Sequence, residues 1–172
     1  MGKADQGVAQ SRNRYHVIPR TLCFVTHGDQ VLLLLGAPHK RIWAGRYNGV
    51  GGHVEPGEDI YSSAAREVEE ETGLQVHDLR LRGVVHADAG DPQVGILFFV
   101  FTAASHSRET APCPDGTLEW WPADALPVEK MAEDLPVLFP KILKMGPADP
   151  PFFAAYSYDA ADGLVIRFAA PR

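Results

Sequence analysis

The chain has 172 residues, 45% hydrophobic and 22% charged, values near globular averages that exclude global disorder and fibrous repeats. At roughly 100 to 200 residues per domain it reads as one domain, able to bury about 70% of its unfolded surface. Its net charge of -6 offers no general attraction to nucleic acid polymers, and its longest mostly apolar run, Val94 to Ala104, falls short of the roughly 18 residues that a membrane span needs.

The opening MGKADQGVAQSRNR lacks the apolar stretch of a secretory signal, so a cytoplasmic location is expected. Its polarity predicts a loose tail over 1–15 ahead of a single domain over 16–172. Cys23 and Cys113 have no CxxC or Cys/His spacing and read as free thiols. Two β-rich runs, Thr21 to Thr26 and Gln30 to Leu35, flank His27-Gly28-Asp29 and predict a hairpin. Leu32 to Leu35 is continuously apolar, which predicts burial on both faces. A polar loop (37–46) leads to a short strand around Tyr47 to Val50, ending in Gly51-Gly52. The segment from His53 to Glu58, with Pro56-Gly57, is a loop.

Asp59 is placed to cap a helix from Ile60 to Thr72, with Gly73 in the left-handed terminal position and Leu74 folding back as a hydrophobic contact. Ile60, Tyr61, Ala64, Ala65 and Val68 form its apolar side. Strands are predicted at Leu79 to Val85, Gly95 to Thr102 and Thr117 to Trp121, then a helix from Glu133 to Lys144. Pro136 suits its first turn, whereas Pro140 is expected to kink it. A hairpin from Phe152 to Phe168, turning at Ala160 to Gly163, closes an α/β layered pattern.

Charge is distributed unevenly. Between Gly51 and Leu74 lie seven acidic residues and one basic one, while the remainder carries 15 of each sign. On a helix Glu67, Glu70 and Glu71 are three and four apart, so their charges crowd on one side, and Arg66 can offset only part of the repulsion through Glu70. Acidic runs are commonly solvated faces. Here the run follows a Gly-Gly strand end and a Pro-Gly loop, where a backbone can approach a ligand. Hard oxygen donors without histidine or thiolate favour Mg²⁺ or Mn²⁺, and such a cation is usually completed by substrate phosphates.

Gly52, five residues, Glu58, seven residues, then Arg66-Glu67-Val68-Glu69-Glu70-Glu71-Thr72-Gly73-Leu74 match the Nudix box, GX5EX7REUXEEXGU, at all nine specified positions across 23 residues. The chain resembles Nudix hydrolases. That resemblance implies an α/β/α sandwich around a mixed β-sheet, with the box as a loop-helix-loop. It also implies hydrolysis of a nucleoside diphosphate linked to another moiety, with Mg²⁺ or Mn²⁺ as cofactor. Carried over by position, Glu67, Glu70 and Glu71 correspond to metal ligands, the Gly51 carbonyl to an additional one, and Arg66 to the residue that orients the glutamates. Glu58 and Gly73 correspond to structural positions.

Upstream, the segment from Trp43 to Gly52 resembles the entry into the box of MutT-type nucleoside triphosphatases, including 8-oxo-dGTP diphosphatases. There the asparagine matching Asn48 reads the nucleobase, a task suited to an amide that can both donate and accept. Thr21 matches another pocket position. Downstream, Asp115 through Trp120 resembles a stretch in which a glutamate at the Asp115 position contributes to metal binding. The shorter aspartate leaves Glu119 as a competing candidate. Met131 through Leu135 lies where 8-oxo-dGTP diphosphatases have a base-stacking tryptophan and two aspartates. Ala132 replaces the tryptophan and Asp134 alone keeps register, so specificity for an oxidised purine does not carry over, and Trp43 becomes the candidate stacking surface.

The expected function is hydrolysis of a (d)NTP, oxidised nucleotides among the candidates, to (d)NMP and pyrophosphate, by a monomer or homodimer acting on a small-molecule nucleotide, with no nucleic acid polymer or membrane as partner. An alternative keeps the chemistry but takes a nucleotide sugar, ADP-ribose or a dinucleoside polyphosphate. A third reading is a binding module without catalysis, against which the intact box carboxylates count.

Overall fold

The computed structural model describes residues 14–170, so most of the tail expected over 1–15 lies outside the described residues. Eight strands and two α-helices are present in it: β1 (His16–His27), β2 (Gln30–Gly36), β3 (Tyr47–Asn48), α1 (Ile60–Thr72), β4 (Val76–Asp91), β5 (Val94–Ser105), β6 (Gly116–Pro122), α2 (Leu135–Ile142), β7 (Phe152–Tyr158) and β8 (Leu164–Phe168). One mixed sheet holds all the strands, in the order β3-β2-β1-β5-β4-β7-β8 with β6 paired to β2. The pairs β1–β5 and β4–β7 are parallel, the others antiparallel.

Side chains alternate across this sheet and build two cores. On one face Phe24, Leu33, Val85 and Val100 pack under α2, which contributes Leu135, Leu138, Phe139 and Ile142. On the other Cys23, Val25, Leu32, Leu34 and Phe101 pack under α1, through Ala64 and Val68. The α/β/α sandwich follows, and the apolar run of β2 is buried on both faces because α1 and α2 cover opposite sides of it.

The hairpin turns at Gly28-Asp29, with His27 paired to Gln30. Several strands run beyond the expected bounds: β1 starts at His16 and β4 extends to Asp91. These polar ends are held by strand pairing rather than by their own hydrophobic pattern, His16 with the distant Val94 and Asp91 with Val94 across the tight β4–β5 turn. The second helix is shorter than Glu133 to Lys144, spanning Leu135–Ile142 with Pro136 in its first turn and Pro140 inside it. In α1 the caps stand as expected: the Asp59 carboxylate accepts from Tyr61 and Ser62 N–H, and Gly73 sits at φ 71°. Its buried face differs in one respect. Tyr61 is exposed, while Ser63 and Thr72 are buried, their hydroxyls donating to the His53 and Val68 carbonyls.

Candidate active site

The site forms where the sheet opens. Only two residue pairs join β1 to β2, Thr26 with Val31 and His27 with Gln30. Beyond them the strands part and residues 47–54 fill the gap. Tyr47 and Asn48 pair with β2, after which the chain crosses to β1. Cys23 and Val50 exchange backbone hydrogen bonds of 2.7 and 3.1 Å, and Thr21 N–H donates to the Gly52 carbonyl at 2.9 Å. Gly51 has φ +143°, and a Cβ there would lie 2.3 Å from the Thr21 carbonyl oxygen. A side chain is excluded by both conformation and space. At Gly52 a Cβ would lie 2.5 Å from the Glu67 carboxylate, so the backbone runs directly beneath that group.

From α1, Glu67 and Glu71 reach into a cavity of about 530 Å³ that Thr21, Asn48, Gly51 and Asp115 also line. Glu70 does not line it. Its side chain is 61% exposed and bound to Arg66, so of the three glutamates expected to crowd together it alone does not line the cavity. Arg66 bridges Glu70 to Glu67. Its Nε and Nη2 donate to both oxygens of Glu58 at 3.0 and 2.7 Å, and its Nη1 donates to Glu67 and Glu70 at 2.9 Å each. The guanidinium holds the Glu58 carboxyl down to about 2.

Glu71 is in the opposite condition. Burial raises it to about 7, with Glu67 and Asp115 adding repulsion, while the Gly51 N–H and Lys40 oppose the shift. Its Oε2 accepts from Gly51 N–H at 2.7 Å. Asp115 is ion-paired to Lys40 at 2.6 Å. Glu119, the competing candidate, instead accepts from the Tyr47 hydroxyl at 2.7 Å and does not line the cavity. Lys40 and Arg46, not singled out from the sequence, also line it. Lysine and arginine in a polar loop carry no local signal of their own.

A second cavity, also about 530 Å³, adjoins the first and shares six lining residues with it, among them Asn48 and Trp43. It is mainly apolar, walled by Ile96, Phe98, Leu138 and, from the β7–β8 hairpin, Tyr156 and Leu164. Asp134 projects into it and accepts from the Tyr156 hydroxyl at 3.2 Å. Burial raises both groups above their ordinary values. Asn48 Oδ1 is taken by Gly49 N–H at 2.8 Å, which leaves its amide NH₂ as the free donor. Trp43 adopts φ 63°, sparsely populated for an aromatic residue, and is 42% exposed at the seam between the cavities. Of the sequence-nominated residues, Thr21, Trp43, Asn48, Gly51, Glu67, Glu71 and Asp115 share the first cavity and Asp134 the second; Arg66 and Glu70 stand outside both.

Among the described residues no three His, Cys, Asp or Glu side chains converge as a preformed metal-ligand set. The composition of the first cavity nevertheless fits a hard dication. It brings the carboxylates of Glu67, Glu71 and Asp115 and the backbone of Gly51 to one cavity, hard oxygen donors of the kind such a cation takes, and Glu71 is a partly buried carboxylate whose charge lacks a direct cationic partner.

A profile of the NUDIX domain matches residues 17–142. The chain is 32% identical over 125 residues to the oxidized purine nucleoside triphosphate hydrolase of Danio rerio, covering 72% of this chain and 78% of that protein. It is 34% identical over 111 residues to the NAD-capped RNA hydrolase NudC of Stutzerimonas stutzeri, covering 63% of this chain but 38% of that protein. The crystal structure of a MutT protein from Bacillus halodurans superposes with a TM-score of 0.73 at 30% identity, covering 88% of this chain and 97% of that one.

Proposed function

Because the chain belongs to the NUDIX domain family and is an enzyme acting on an anhydride bond, we propose that its reaction is hydrolysis of a (d)NTP to (d)NMP and pyrophosphate with Mg²⁺ or Mn²⁺. Water adds across one P–O–P bridge, so the new P–O bond replaces the one broken. The observation that carries this reading is the pairing of two adjoining cavities, one lined by Glu67, Glu71 and Asp115 and the other apolar with Asp134. Their spacing along one cleft suits a charged tail on an apolar ring.

Glu67, Glu71, Asp115 and the Gly51 carbonyl would hold the cation, joined by Glu70 if its carboxylate leaves Arg66. When bound, a dication supplies charge neutralisation at phosphate oxygens and acidifies water. Arg66 aligns Glu67 and is itself fixed by Glu58, so it positions the site. In the second cavity the Asn48 NH₂ offers donors to a base edge and Asp134 offers an acceptor, or a donor when protonated. Thr21 backs the Gly51-Gly52 segment, its Oγ1 lying 3.4 Å from Gly52 N. Trp43 is placed to stack on the base or sugar.

A panel of canonical and oxidised (d)NTPs with Mg²⁺ tests the substrate. Turnover of at least one to its monophosphate and pyrophosphate supports the reading; turnover of none overturns it. The likeness to NudC favours a second substrate class, a nucleotide linked through its pyrophosphate to another nucleoside or sugar, including ADP-ribose and dinucleoside polyphosphates. Those compounds in the same panel separate the two. We take the enzyme as a monomer or homodimer working on small molecules. No helix among the described residues is long and apolar enough to cross a membrane.

A further inference from the structure

Arg20 stands on β1 where the two cavities meet, and it lines both. Pairing on two sides fixes its backbone, with Phe98 of β5 and with the bridge to His53. Two other cations around the first cavity are engaged, Lys40 with Asp115 and Arg46 with the Glu129 carbonyl, while Arg41 lies on its exposed rim. Arg20 forms no ion pair among the described residues, and its Nε–H is buried without a hydrogen-bond partner. A buried, unpaired donor on a charged group is costly, and native proteins rarely keep one without a ligand or water to meet it. A planar guanidinium is matched by the paired oxygens of a phosphoryl group.

The connectivity of a nucleotide says which phosphoryl that is. With the base in the apolar cavity and the scissile pyrophosphate beside Glu67 and Glu71, the seam between them holds the sugar and the phosphoryl group on its 5′ oxygen. We infer that Arg20 binds this first phosphoryl group, so that the enzyme grips the nucleoside monophosphate moiety without help from a metal. The inference rests on the nucleotide reading above and adds a residue to it. It also makes the monophosphate product a ligand in its own right.

The test uses the full chain in EDTA, with the four 2′-deoxynucleosides and their 5′-monophosphates as probes in calorimetric titrations. Wild type is expected to bind at least one monophosphate tenfold or more tighter than its nucleoside. In R20M that ratio is expected to collapse toward one with nucleoside affinity unchanged, and R20K, which keeps charge but not the fork, to retain an intermediate ratio. Should R20M melt early, R20K and R20Q carry the comparison. A wild-type ratio near one, an unchanged ratio in R20M, or a parallel loss of nucleoside affinity overturns the inference. Hydrolysis assayed in parallel separates the levels: turnover with Arg20-independent monophosphate binding removes only this inference. Absence of turnover removes the reading beneath it, while the EDTA titrations still decide whether Arg20 binds phosphoryl.

Discussion

Arg66 grips Glu58 with two parallel hydrogen bonds of 3.0 and 2.7 Å, tying the loop before α1 to the helix that carries the carboxylates. The pair is fork to fork, a geometry that lysine cannot copy. Its remaining nitrogen reaches Glu67 and Glu70, so loop position and carboxylate position depend on one side chain. Replacing Arg66 with Lys is expected to lower kcat by roughly 10–100-fold, as for supporting residues of metal sites generally, with a smaller effect on Tm. Steady-state kinetics beside thermal melts check the difference.

Glu58 also sets a pH dependence. Its folded value of about 2 lies below the ordinary 4.5, so the native state binds fewer protons than the unfolded chain between those limits. The stabilisation is present above about pH 4.5 and is lost as pH falls toward 2. Urea melts across that window are expected to show a shallower acid slope in E58Q than in wild type; parallel slopes would remove this role.

Glu71 has the opposite sign. Its folded value of about 7 lies above the ordinary 4.5, so in metal-free protein stability is full below about pH 4.5 and declines as pH rises to 7. At pH 8 in EDTA, E71Q is expected to be more stable than wild type by roughly 1–3 kcal/mol. Mg²⁺ should then stabilise wild type more than the variant. Equal stabilities in EDTA would show that the charge is not confined.

Gly51 and Gly52 are adjacent but expected to respond differently to alanine. At Gly51 the new Cβ meets the Thr21 backbone and φ is +143°, so G51A should lose at least about 2 kcal/mol of stability. At Gly52 the obstacle is the end of the Glu67 side chain, which can move. G52A should therefore keep its fold and lose activity, as a melt and a rate measurement together would show.

Tyr156 donates to Asp134 at 3.2 Å inside the apolar cavity. Y156F leaves a buried carboxylate oxygen without that donor, at a cost of about 1 kcal/mol. If Asp134 meets the base, KM should rise more than kcat falls. An unchanged KM would separate Asp134 from substrate.

The local features were legible because their causes are local. Asp59 and Gly73 mark the ends of α1, and Gly28-Asp29 the first hairpin turn, through short-range hydrogen bonds and φ preferences. Box spacing named Glu67 and Glu71 for the same reason. That Glu70 stays off the cavity lining was not legible, since the sequence cannot say how one Arg66 apportions its donors. The parallel pairing of β1 with β5, and the wedge of residues 47–54 between β1 and β2, leave no local signature. Arg20 and Tyr156 belong to the cleft only because strands far apart in sequence meet there, and neither sits in a recognisable pattern.

The most direct measurement is product identification by chromatography after incubating the enzyme with the nucleoside triphosphate panel, with Mg²⁺ and with EDTA. The expected result is a nucleoside monophosphate and pyrophosphate in equal amounts with Mg²⁺, neither in EDTA, and neither from E71Q. Release of diphosphate and orthophosphate, or equal turnover in EDTA, would contradict the assignment of Glu67, Glu71 and Asp115 to a metal that serves pyrophosphate cleavage.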